Sequence, residues 1–326
     1  MNVIVDVFQR KTNNLLFNPA LPATAGVASA PIVNIGKMKN TGFDFSIGHT
    51  GDRWNATLQG SKYKNEIVSI DGVQDFFITN VKVRDREATI NKVGYPISSF
   101  FGYRTNGYFN SQAEVDACKV AAFQDGCDLG RIKFVDTNGD NKITSADRTI
   151  IGNPHPDFTG SLDLGYRYGN FDVSGTLFGS FGNDIFDAQK LFYVFRMFQT
   201  NVKDDLLENS WTPTNTSAKY PRIDDNDTYS NAFSEFYVED GSYVRLRNIQ
   251  LGYNVPPRFA RWLQATRVYV QAENLFTITG YEGLDVSLPA ADINGAAGDI
   301  RDQYRGVDRG VYPSSRTFSI GITTSF

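Results

Sequence analysis

The 326-residue sequence has no run of 18 consecutive apolar residues, and this absence excludes a membrane-spanning helix. It also has no excess of positive charge, and its formal net charge of −4 argues against a nucleic-acid partner, which would favour a basic surface. The start, MNVIVDVFQRKTNN, lacks a basic segment followed by an apolar one, so it is not a signal peptide. If the protein is exported, this start predicts a fragment that begins inside a longer chain.

Recognisable catalytic motifs are absent as well. The only two histidines, His49 and His155, lie in a turn and between two prolines, without the spacing of a metal-binding pair. There is no GxSxG, HExxH, P-loop or GxGxxG motif. Adjacent carboxylates such as Asp204 and Asp205 lie in loops and are most simply solvated. We therefore expect a protein that is not an enzyme.

Cysteine is scarce, with two residues in the whole chain. Cys118 and Cys127 stand nine positions apart in a polar loop, ACKVAAFQDGCDLG. In an oxidising compartment they can pair and close that loop, whereas the alternative is two separate thiols. On the expectation of export, a Cys118–Cys127 disulfide is predicted.

What the chain does contain is alternation. In the last eleven residues, RTFSIGITTSF, an apolar face alternates with a face of small polar residues, and the apolar positions are Phe318, Ile320, Ile322 and Phe326. Successive side chains of a strand point to opposite faces, so this segment is a strand with one apolar side. A chain that ends on an aromatic residue in such a strand favours an outer-membrane β-barrel, whose apolar face meets lipid.

The same alternation recurs along the chain, in segments of about the length that a tilted strand needs to cross a bilayer. These segments are residues 39–49, 53–63, 157–168, 171–181, 242–253 and 267–276. Gly169–Asn170 is a hairpin signal between two of them. A change of parity within 242–253 predicts a bulge near Arg247 and Asn248.

Short turns alternate with long insertions, at residues 64–155, 183–233 and 278–315. Helical spacing of apolar residues predicts short helices within 183–233. Short turns at one end and long loops at the other are the asymmetry of outer-membrane barrels. We predict an all-β fold, an antiparallel transmembrane β-barrel with long extracellular loops and short loop helices.

The segment DTNGDNKITSAD, residues 136–147, has the spacing of a calcium-binding loop. Oxygen-bearing side chains stand at loop positions 1, 3, 5 and 12, and position 7 offers its backbone carbonyl; these residues are Asp136, Asn138, Asp140, Asp147 and Lys142. Asn141 replaces the usual glycine at position 6, and asparagine tolerates the left-handed conformation better than most residues. A structural Ca²⁺ site is the hypothesis; an Asp- and Asn-rich turn that satisfies its own backbone is the alternative.

Aromatic residues among polar ones in the loops are candidates for substrate binding. Sugar rings stack on aromatic faces while their hydroxyls bond to neighbouring polar groups. The candidates are Tyr103, Tyr108, Trp211, Tyr220 and Tyr281. Loop packing and an interfacial aromatic girdle are the alternative roles for the same residues.

Six stretches together resemble the C-terminal part of SusC-like (SusC/RagA type) TonB-dependent outer-membrane transporters. In order, they are NIGKMKNTGFDFSI (34–47), SFFGYRTNGYFNSQAEVDA (99–117), GRIKFVDTNGDNKITSADRTIIGNPHPDFTGSLDL (130–164), NFDVSGTLFGSFGNDIFD (170–187), EDGSYVRLRNIQLGYNVP with VYVQAENLFTITGYEGLD (239–285), and YPSSRTFSIGITTSF (312–326). The resemblance spans nearly the whole chain. The insert around Cys118 and Cys127 and the 286–311 loop are its least family-like parts.

The resemblance implies a 22-stranded barrel with an internal plug, of which this chain supplies about eight strands. It implies import of oligosaccharides, or in some members peptides, with a SusD-like surface lipoprotein as lid and energy from the TonB complex. Residues 1–326 would be the C-terminal part of the barrel domain, without plug, TonB box or N-terminal extension. The terminal strand, with Phe326, would belong to the signal read by the barrel-assembly machinery in the outer membrane of a Gram-negative bacterium.

Two other interpretations remain open at this point. One is a complete small barrel that acts as an adhesin or a porin. The other is a secreted carbohydrate-binding β-sandwich with a structural calcium loop. The isolated eight-strand chain would expose two unpaired strand edges, whereas a sandwich would be a soluble monomer.

Overall fold

The computed structural model describes residues 1–17, 33–70, 75–78, 82–198, 200–256, 265–288 and 305–325. In these residues β-strands dominate and helices are short. No helix in this part of the chain is both long and apolar enough to span a bilayer.

Nineteen strands occur in the described residues. The first eleven are β1 (Asn2–Phe17), β2 (Val33–Thr50), β3 (Trp54–Ser69), β4 (Phe76–Ile78), β5 (Lys82–Val83), β6 (Arg86–Glu87), β7 (Thr89–Lys92), β8 (Ser99–Gly102), β9 (Thr105–Tyr108), β10 (Ile132–Phe134) and β11 (Thr149–Gly152). The others are β12 (Phe158–Tyr168), β13 (Phe171–Phe181), β14 (Asp184–Asp187), β15 (Val238–Asp240), β16 (Tyr243–Val255), β17 (Ala265–Thr279), β18 (Val307–Asp308) and β19 (Thr317–Ser325). The helices are α1 (Gln112–Ala121), α2 (Lys190–Tyr193) and α3 (Leu206–Asn209), with 3₁₀ turns at Ser145–Asp147 and Glu235–Tyr237.

Eight long strands form one continuous antiparallel sheet in the order β1-β2-β3-β12-β13-β16-β17-β19. Each of these eight strands pairs with the long strand before it and the long strand after it in the sequence, as in a barrel wall. Within the described residues β1 and β19 are not paired with each other, so the sheet has two edges. The predicted eight strands of a partial barrel are confirmed, and the β-sandwich interpretation is wrong because the eight strands lie in a single sheet.

The two faces of the sheet differ in polarity. Leu162, Leu164 and Tyr166 of β12 lie opposite Leu177, Gly175 and Val173 of β13, whereas Asp163 and Thr176 pair on the other face. Leu164 and Tyr166 are nearly half exposed although they are apolar or aromatic. An exposed apolar face and a polar inner face are what a lipid-facing barrel wall requires.

Aromatic residues lie at both ends of the outer face. Near the loop end, Phe158 of β12 stacks between Phe181 of the adjacent strand β13 and Phe45 of β2, which lies two strands away, and the ring centroids are 6.4 Å apart in both pairs. Near the turn end, Trp54 lies opposite Tyr166. Eight residues of β12 separate Phe158 from Tyr166, about 26 Å along a strand. This separation matches the apolar band of about 25 Å that aromatic girdles flank in outer-membrane barrels.

Two local predictions are confirmed in the sheet. The turn at Gly169–Asn170 closes a tight hairpin in which Tyr168 pairs with Phe171, and Gly169 has a φ of +60° that a side chain would oppose. The register of β16 against β17 shifts between Leu246 and Asn248, where the change of parity predicted a bulge. Strands β2, β3 and β17 are longer than the alternating segments that predicted them, because they continue beyond the apolar band.

The long insertions form a folded cap with its own small sheets. Phe100, Phe186 and Tyr237 are completely buried at its centre, and the ring of Phe186 lies 5.6 Å from that of Phe100. β14 pairs in parallel with β18, and in this pairing Phe186 lies opposite Val307. The predicted short helices within 183–233 are present as α2 and α3, each four residues long.

The helix α1 was not predicted. Ser111 caps its first turn by accepting a hydrogen bond from the backbone N–H of Glu114, and the Glu114 carboxylate accepts one from the backbone N–H of Asn110. The Ser111 cap fits the S-x-x-E signal in the sequence SQAE, although the Glu114 carboxylate bonds the residue before the cap and not the cap itself.

Candidate functional site

The predicted calcium loop lies in the cap, between β10 and β11. Carboxylate oxygens of Asp136, Asp140 and Asp147 lie within 4.8 Å of one another. Oxygen ligands of Ca²⁺ lie about 2.3–2.6 Å from the ion, so ligands on opposite sides of it are roughly 5 Å apart. The three carboxylates are therefore close enough to share one cation.

The loop holds its carboxylates in place through its own backbone. Asp136 accepts hydrogen bonds from the N–H groups of Gly139 (2.6 Å) and Asn141 (2.7 Å). The Asn138 side-chain oxygen accepts from the N–H of Asp140 (2.8 Å). Asn141 has a φ of +64°, the left-handed conformation that was expected at this position. These bonds are also what a turn that satisfies its own backbone would form.

Asp147 differs from the other two carboxylates because it is completely buried. One of its oxygens accepts from the N–H of Thr137 (2.9 Å) and the other from the N–H of Thr144 (2.8 Å). Burial raises the pKa of this carboxyl, but these backbone hydrogen bonds outweigh burial and hold the pKa below its ordinary value. Asp147 is therefore ionised at neutral pH.

The donor set suits a hard divalent cation. Asp136, Asp140 and Asp147 supply negative oxygens, and Asn138 supplies a neutral one. The N–H of Lys142 donates to an Asp140 oxygen (2.9 Å), which places the backbone of Lys142 in the same loop. Since no nitrogen or sulfur ligand is among these residues, the loop fits Ca²⁺ better than Zn²⁺.

The end of the loop is joined to the rest of the cap by Arg148, the residue after Asp147. Its guanidinium carbon lies 4.2 Å from the centroid of the Phe101 ring. One of its N–H groups donates to the backbone carbonyl of Glu87 (2.9 Å), and another lies 3.3 Å from the Glu87 carboxylate. The residue that follows the loop is thus in direct contact with β6 and β8.

A cleft of about 340 Å³ lies beside the calcium loop. Tyr103 and Phe134 line it with rings whose centroids are 5.0 Å apart. Arg86, Glu87 and Arg148 add charged groups to the same wall. The cleft thus combines an aromatic surface with hydrogen-bonding groups, the combination that small polar ligands use. The Arg148–Glu87 contact joins residues far apart in sequence, and no local signal predicted it.

Of the five aromatic residues predicted to bind substrate, Tyr103 lines this cleft. Tyr108 is half-buried, and its hydroxyl donates to the backbone carbonyl of Lys219 (3.2 Å). Burial raises the pKa of both hydroxyls. These two residues keep an accessible part, and their substrate role stays a prediction.

The other three aromatic residues are buried inside the cap. The Trp211 indole N–H donates to Asn110 (2.8 Å), the Tyr220 hydroxyl to Asp205 (3.0 Å), and the Tyr281 hydroxyl to Asp308 (2.6 Å). Tyr220 packs with Val194 and Leu206, whereas Tyr281 packs with Ile185 and Val286. The structure therefore does not gather them into one site, and their placement favours the packing role.

Cys118 and Cys127 are joined by a disulfide. It connects the last turn of α1 to the following turn. Both residues belong to a small buried cluster with Phe109 and Val115. The disulfide thus stabilises a segment that has only a small hydrophobic core of its own.

The predicted assembly signal lies on the last strand. Phe318, Ile320 and Ile322 are 71%, 80% and 69% exposed and share the outer face of β19. Phe326 lies outside the described residues. Because β19 is an edge of the sheet, this face and this edge are both open to a partner.

An antiparallel sheet with a lipid-facing side, aromatic girdles and a folded cap defines the class: the wall of a transmembrane β-barrel with long extracellular loops. A family model described as TonB dependent receptor-like, beta-barrel, matches residues 2–275. The chain belongs to this family of TonB-dependent receptors. Membership implies an outer-membrane β-barrel, in a family of receptors rather than of enzymes.

Curated relatives match along almost the whole chain. TonB-dependent receptor P3 of Formosa agariphila is 34% identical over 330 residues, which are 98% of this chain and 32% of the relative. TonB-dependent receptor SusC of Bacteroides thetaiotaomicron is 27% identical over 344 residues, which are 99% of this chain and 30% of the relative. The chain spans about a third of the length of the curated relatives it matches.

A solved structure shares the fold. The RagAB peptide transporter superimposes with a TM-score of 0.73 at 23% sequence identity, covering 99% of this chain and 33% of that one. The resemblance to the C-terminal part of SusC-like receptors is thus confirmed.

Proposed function

We propose that this chain forms part of the wall and extracellular cap of an outer-membrane importer of nutrients, with uptake driven by TonB. The observation that carries the proposal is the eight-stranded sheet with its apolar outer face, in a chain that belongs to the TonB-dependent receptor family. The long loops on one side of the sheet are folded and carry a cleft, as a receptor for an external ligand needs.

The substrates in this proposal are oligosaccharides or peptides. The aromatic and polar lining of the Tyr103 cleft supports a sugar ligand. A structure with the same fold is described as the RagAB peptide importer in open and closed states, which supports peptides and a moving partner. A SusD-like surface lipoprotein would act as the lid over the cap, and the TonB complex would supply the energy.

Outer-membrane lipid and the barrel-assembly machinery complete the partners of this proposal. Lipid would cover the outer face of the sheet. The exposed apolar residues of β19 would be read during insertion, because they form the alternating terminal pattern on an open edge.

Uptake measurements test the importer function. Cells that carry the gene are expected to take up a labelled nutrient mixture of oligosaccharides and peptides, and uptake is expected to fall to background when either this gene or tonB is deleted. Deletion of a SusD-like neighbour gene should reduce uptake at low substrate concentration. Uptake that is unchanged without tonB would contradict the proposal.

We propose further that the 136–147 loop binds a structural Ca²⁺ ion. Three converging carboxylates and one amide oxygen support it. Protein purified without chelators should contain about one Ca²⁺ per chain by elemental analysis, and chelation should expose the loop to protease. The double variant Asp136→Asn/Asp140→Asn should lose the ion, whereas Asp52→Asn, in the turn at the other end of the sheet, should keep it. Absence of Ca²⁺ from unchelated protein would contradict the site.

A further inference from the structure

The outer, lipid-facing side of the sheet contains a groove in its central part. The volume of this groove is about 450 Å³, within the range of small-molecule sites, and nearly all of the surface exposed in it is apolar. Strands β3, β12, β13 and β16 form it, and each of them is paired on both sides within the sheet. The open edges at β1 and β19 therefore do not contribute to the groove. Among its apolar side chains are Leu162, Leu164, Leu177, Leu246 and Ile249.

The groove forms where one position of the outer face has no side chain. Gly175 lies opposite Leu164 of β12 and opposite Ile249 of β16, so it belongs to the outer face. A Cβ atom on Gly175 would lie 3.9 Å from side-chain atoms of Ile249 and Leu246, which is an ordinary contact, and 3.3 Å from the backbone oxygen of Asn248. The neighbouring side chains of the described residues thus leave the space above Gly175 open to the lipid side.

The groove has the length of one lipid leaflet. At its turn end it includes Tyr166 of the aromatic girdle, and it extends to Leu162, which lies four residues from Tyr166 and four from Phe158. Four residues extend about 13 Å along a strand, half of the apolar band of about 25 Å. A single acyl chain of the leaflet on the turn side covers this distance. Because the short turns of such barrels face the periplasm, this is the periplasmic leaflet.

Polar groups converge at the turn end of the groove. The rings of His49 and Trp54 stack with their centroids 4.4 Å apart. A Cβ atom on Gly51 would lie 3.4 Å from Nε1 of Trp54 and 3.5 Å from Nε2 of His49, so both nitrogens lie beside the turn between β2 and β3. Arg53, an exposed residue of the same turn, adds a cation. An indole N–H, an imidazole and a guanidinium suit a phosphate group at a membrane interface.

The hydrophobic effect does not by itself favour a lipid chain in this groove, because bulk lipid is as apolar as the groove. Two other contributions do. A chain in the groove contacts fixed side chains on both of its sides, whereas a chain elsewhere on the outer face packs against the protein on one side only. The polar groups at the turn end add hydrogen bonds to the headgroup, and these bonds select phospholipid over a plain hydrocarbon chain.

We propose that this groove binds one phospholipid of the periplasmic leaflet, with an acyl chain over Gly175 and the phosphate at Trp54, His49 and Arg53. The inference rests on the proposed lipid-covered outer face of the sheet and adds one defined site to it. It does not depend on which nutrient the importer carries. The lipid would fill a gap in the outer surface that four strands share, and would thereby connect β3 with β16 from the outside.

Photo-cross-linking locates the bound chain. The full-length receptor that contains this chain is reconstituted in vesicles of phosphatidylethanolamine and phosphatidylglycerol. The probe is phosphatidylethanolamine with a photoreactive diazirine in one acyl chain. A diazirine near the glycerol should label residues close to Tyr166 and Val173, and a diazirine at the end of the chain should label residues close to Leu162 and Leu246. Uniform labelling of the outer face, with β17 and β19 labelled as strongly as the groove, would overturn the inference.

The variant Gly175→Leu tests the groove itself. Its side chain should fill the groove and reduce labelling there to the level of the remaining outer face. The matched control is Ala272→Leu, which adds a leucine to the lipid-facing side of β17. Ala272 lies opposite Ile249 at the level of Gly175 but outside the groove, so labelling of the groove should stay unchanged. Labelling of Gly175→Leu that equals that of the wild type would contradict the site.

The double variant Arg53→Gln/Trp54→Phe tests the headgroup contacts and leaves the groove over Gly175 open. Labelling of the groove should fall by about threefold or more, the effect of losing one hydrogen bond within a membrane. Unchanged labelling in this variant would overturn the phosphate assignment. A heat-modifiable band in a detergent gel shows that each variant is folded.

The remaining outcomes separate this inference from the other proposals. If two receptor copies cross-link to each other through the groove and lipid does not label it, the groove is a protein interface and the inference fails. If no part of the outer face is labelled, the lipid-covered face itself is wrong. If the groove is labelled as proposed but uptake is independent of tonB, the lipid site stands and the importer proposal fails. Uniform labelling together with tonB-dependent uptake would mean the reverse.

Discussion

Asp187 lies buried in the cap beside a second buried carboxylate, Asp308, its direct partner in the parallel β14–β18 pair. Burial raises the pKa of Asp187 to about 7, and Glu239 and Asp308 add to the rise while the Lys190 ammonium opposes it. The native cap therefore binds a proton at pH values where the unfolded chain, with an ordinary aspartate, has lost it. Stability of the cap should fall as pH rises from about 4 to about 7.

The variant Asp187→Asn should remove this pH dependence. The amide is close in shape to the protonated acid, so the cap of the variant should stay equally protected between pH 5 and pH 8. Wild-type protein should lose protection over the same interval. Hydrogen exchange of residues 184–194 and 305–310 measures the difference, and parallel pH profiles in the two proteins would show that Asp187 is not the titrating group.

The clustering of Asp136, Asp140 and Asp147 could be predicted from their spacing, because all three lie within twelve positions of the sequence. The left-handed Asn141 followed from the same local pattern. The contact between Arg148 and Glu87 could not be predicted, because the two residues are 61 positions apart and no periodic pattern in the sequence connects them. The burial of Trp211, Tyr220 and Tyr281 could not be predicted either, because an aromatic residue among polar neighbours in the sequence can pack inside the protein or contact a ligand.

At the level of the strand, Gly60 of β3 provides the space in which two rings of the outer face meet. A Cβ atom there would lie 2.4 Å from the Phe45 ring and 2.6 Å from another atom of that ring, with Phe158 at 2.8 Å. The variant Gly60→Ala should destabilise the folded barrel by about 1–3 kcal/mol through overpacking. The substitution is made in the full-length receptor that contains this chain, and the temperature at which its folded band disappears from a detergent gel reports the change.

Gly48→Ala is the matched control for Gly60→Ala. Gly48 lies in the neighbouring strand β2, and the nearest atom to an added Cβ is the Thr57 hydroxyl at 3.7 Å, an ordinary contact. It should leave the transition unchanged. Equal destabilisation by both substitutions would refute the argument from ring packing.

The helix α1 and its following turn depend on the disulfide. Replacing both cysteines, Cys118→Ser/Cys127→Ser, should destabilise this segment by about 3 kcal/mol, the entropy cost of freeing a loop of roughly ten residues. In the full-length receptor, protease should cleave the variant within residues 112–127, while the barrel keeps its heat-modifiable band in a detergent gel. Wild-type protein in reductant should resemble the variant; unchanged resistance would show that the local core suffices without the bond.

Strands could be predicted much better than the cap. A strand in a barrel wall has lipid on one side and water on the other, so its sequence alternates whatever its partners are. Strands such as β7 and β8, in contrast, are buried on both faces, and their four-residue sequences TINK and SFFG carry no alternation. The cap depends on contacts between insertions, which a single sequence does not reveal.

At the scale of the whole molecule, the eight-stranded sheet leaves β1 and β19 as open edges. An unpaired edge is a template for association with other chains. These 326 residues expressed alone and refolded in detergent should therefore aggregate and give no heat-modifiable folded band. A monomeric band whose migration changes on heating would mean that β1 and β19 close on each other, and it would favour a complete small barrel.

The parallel pairing of β14 with β18 also determines when the cap can be completed. β18 precedes the last strand, and its partner β14 lies far earlier in the chain, so their pairing must wait for a long loop to close. The sheet, in contrast, grows by adding each strand to the one before it. The core of the cap, which Val307 completes, is thus assembled only after β18 has been added, and a molecule stalled before β18 would have most of the wall but an incomplete cap core.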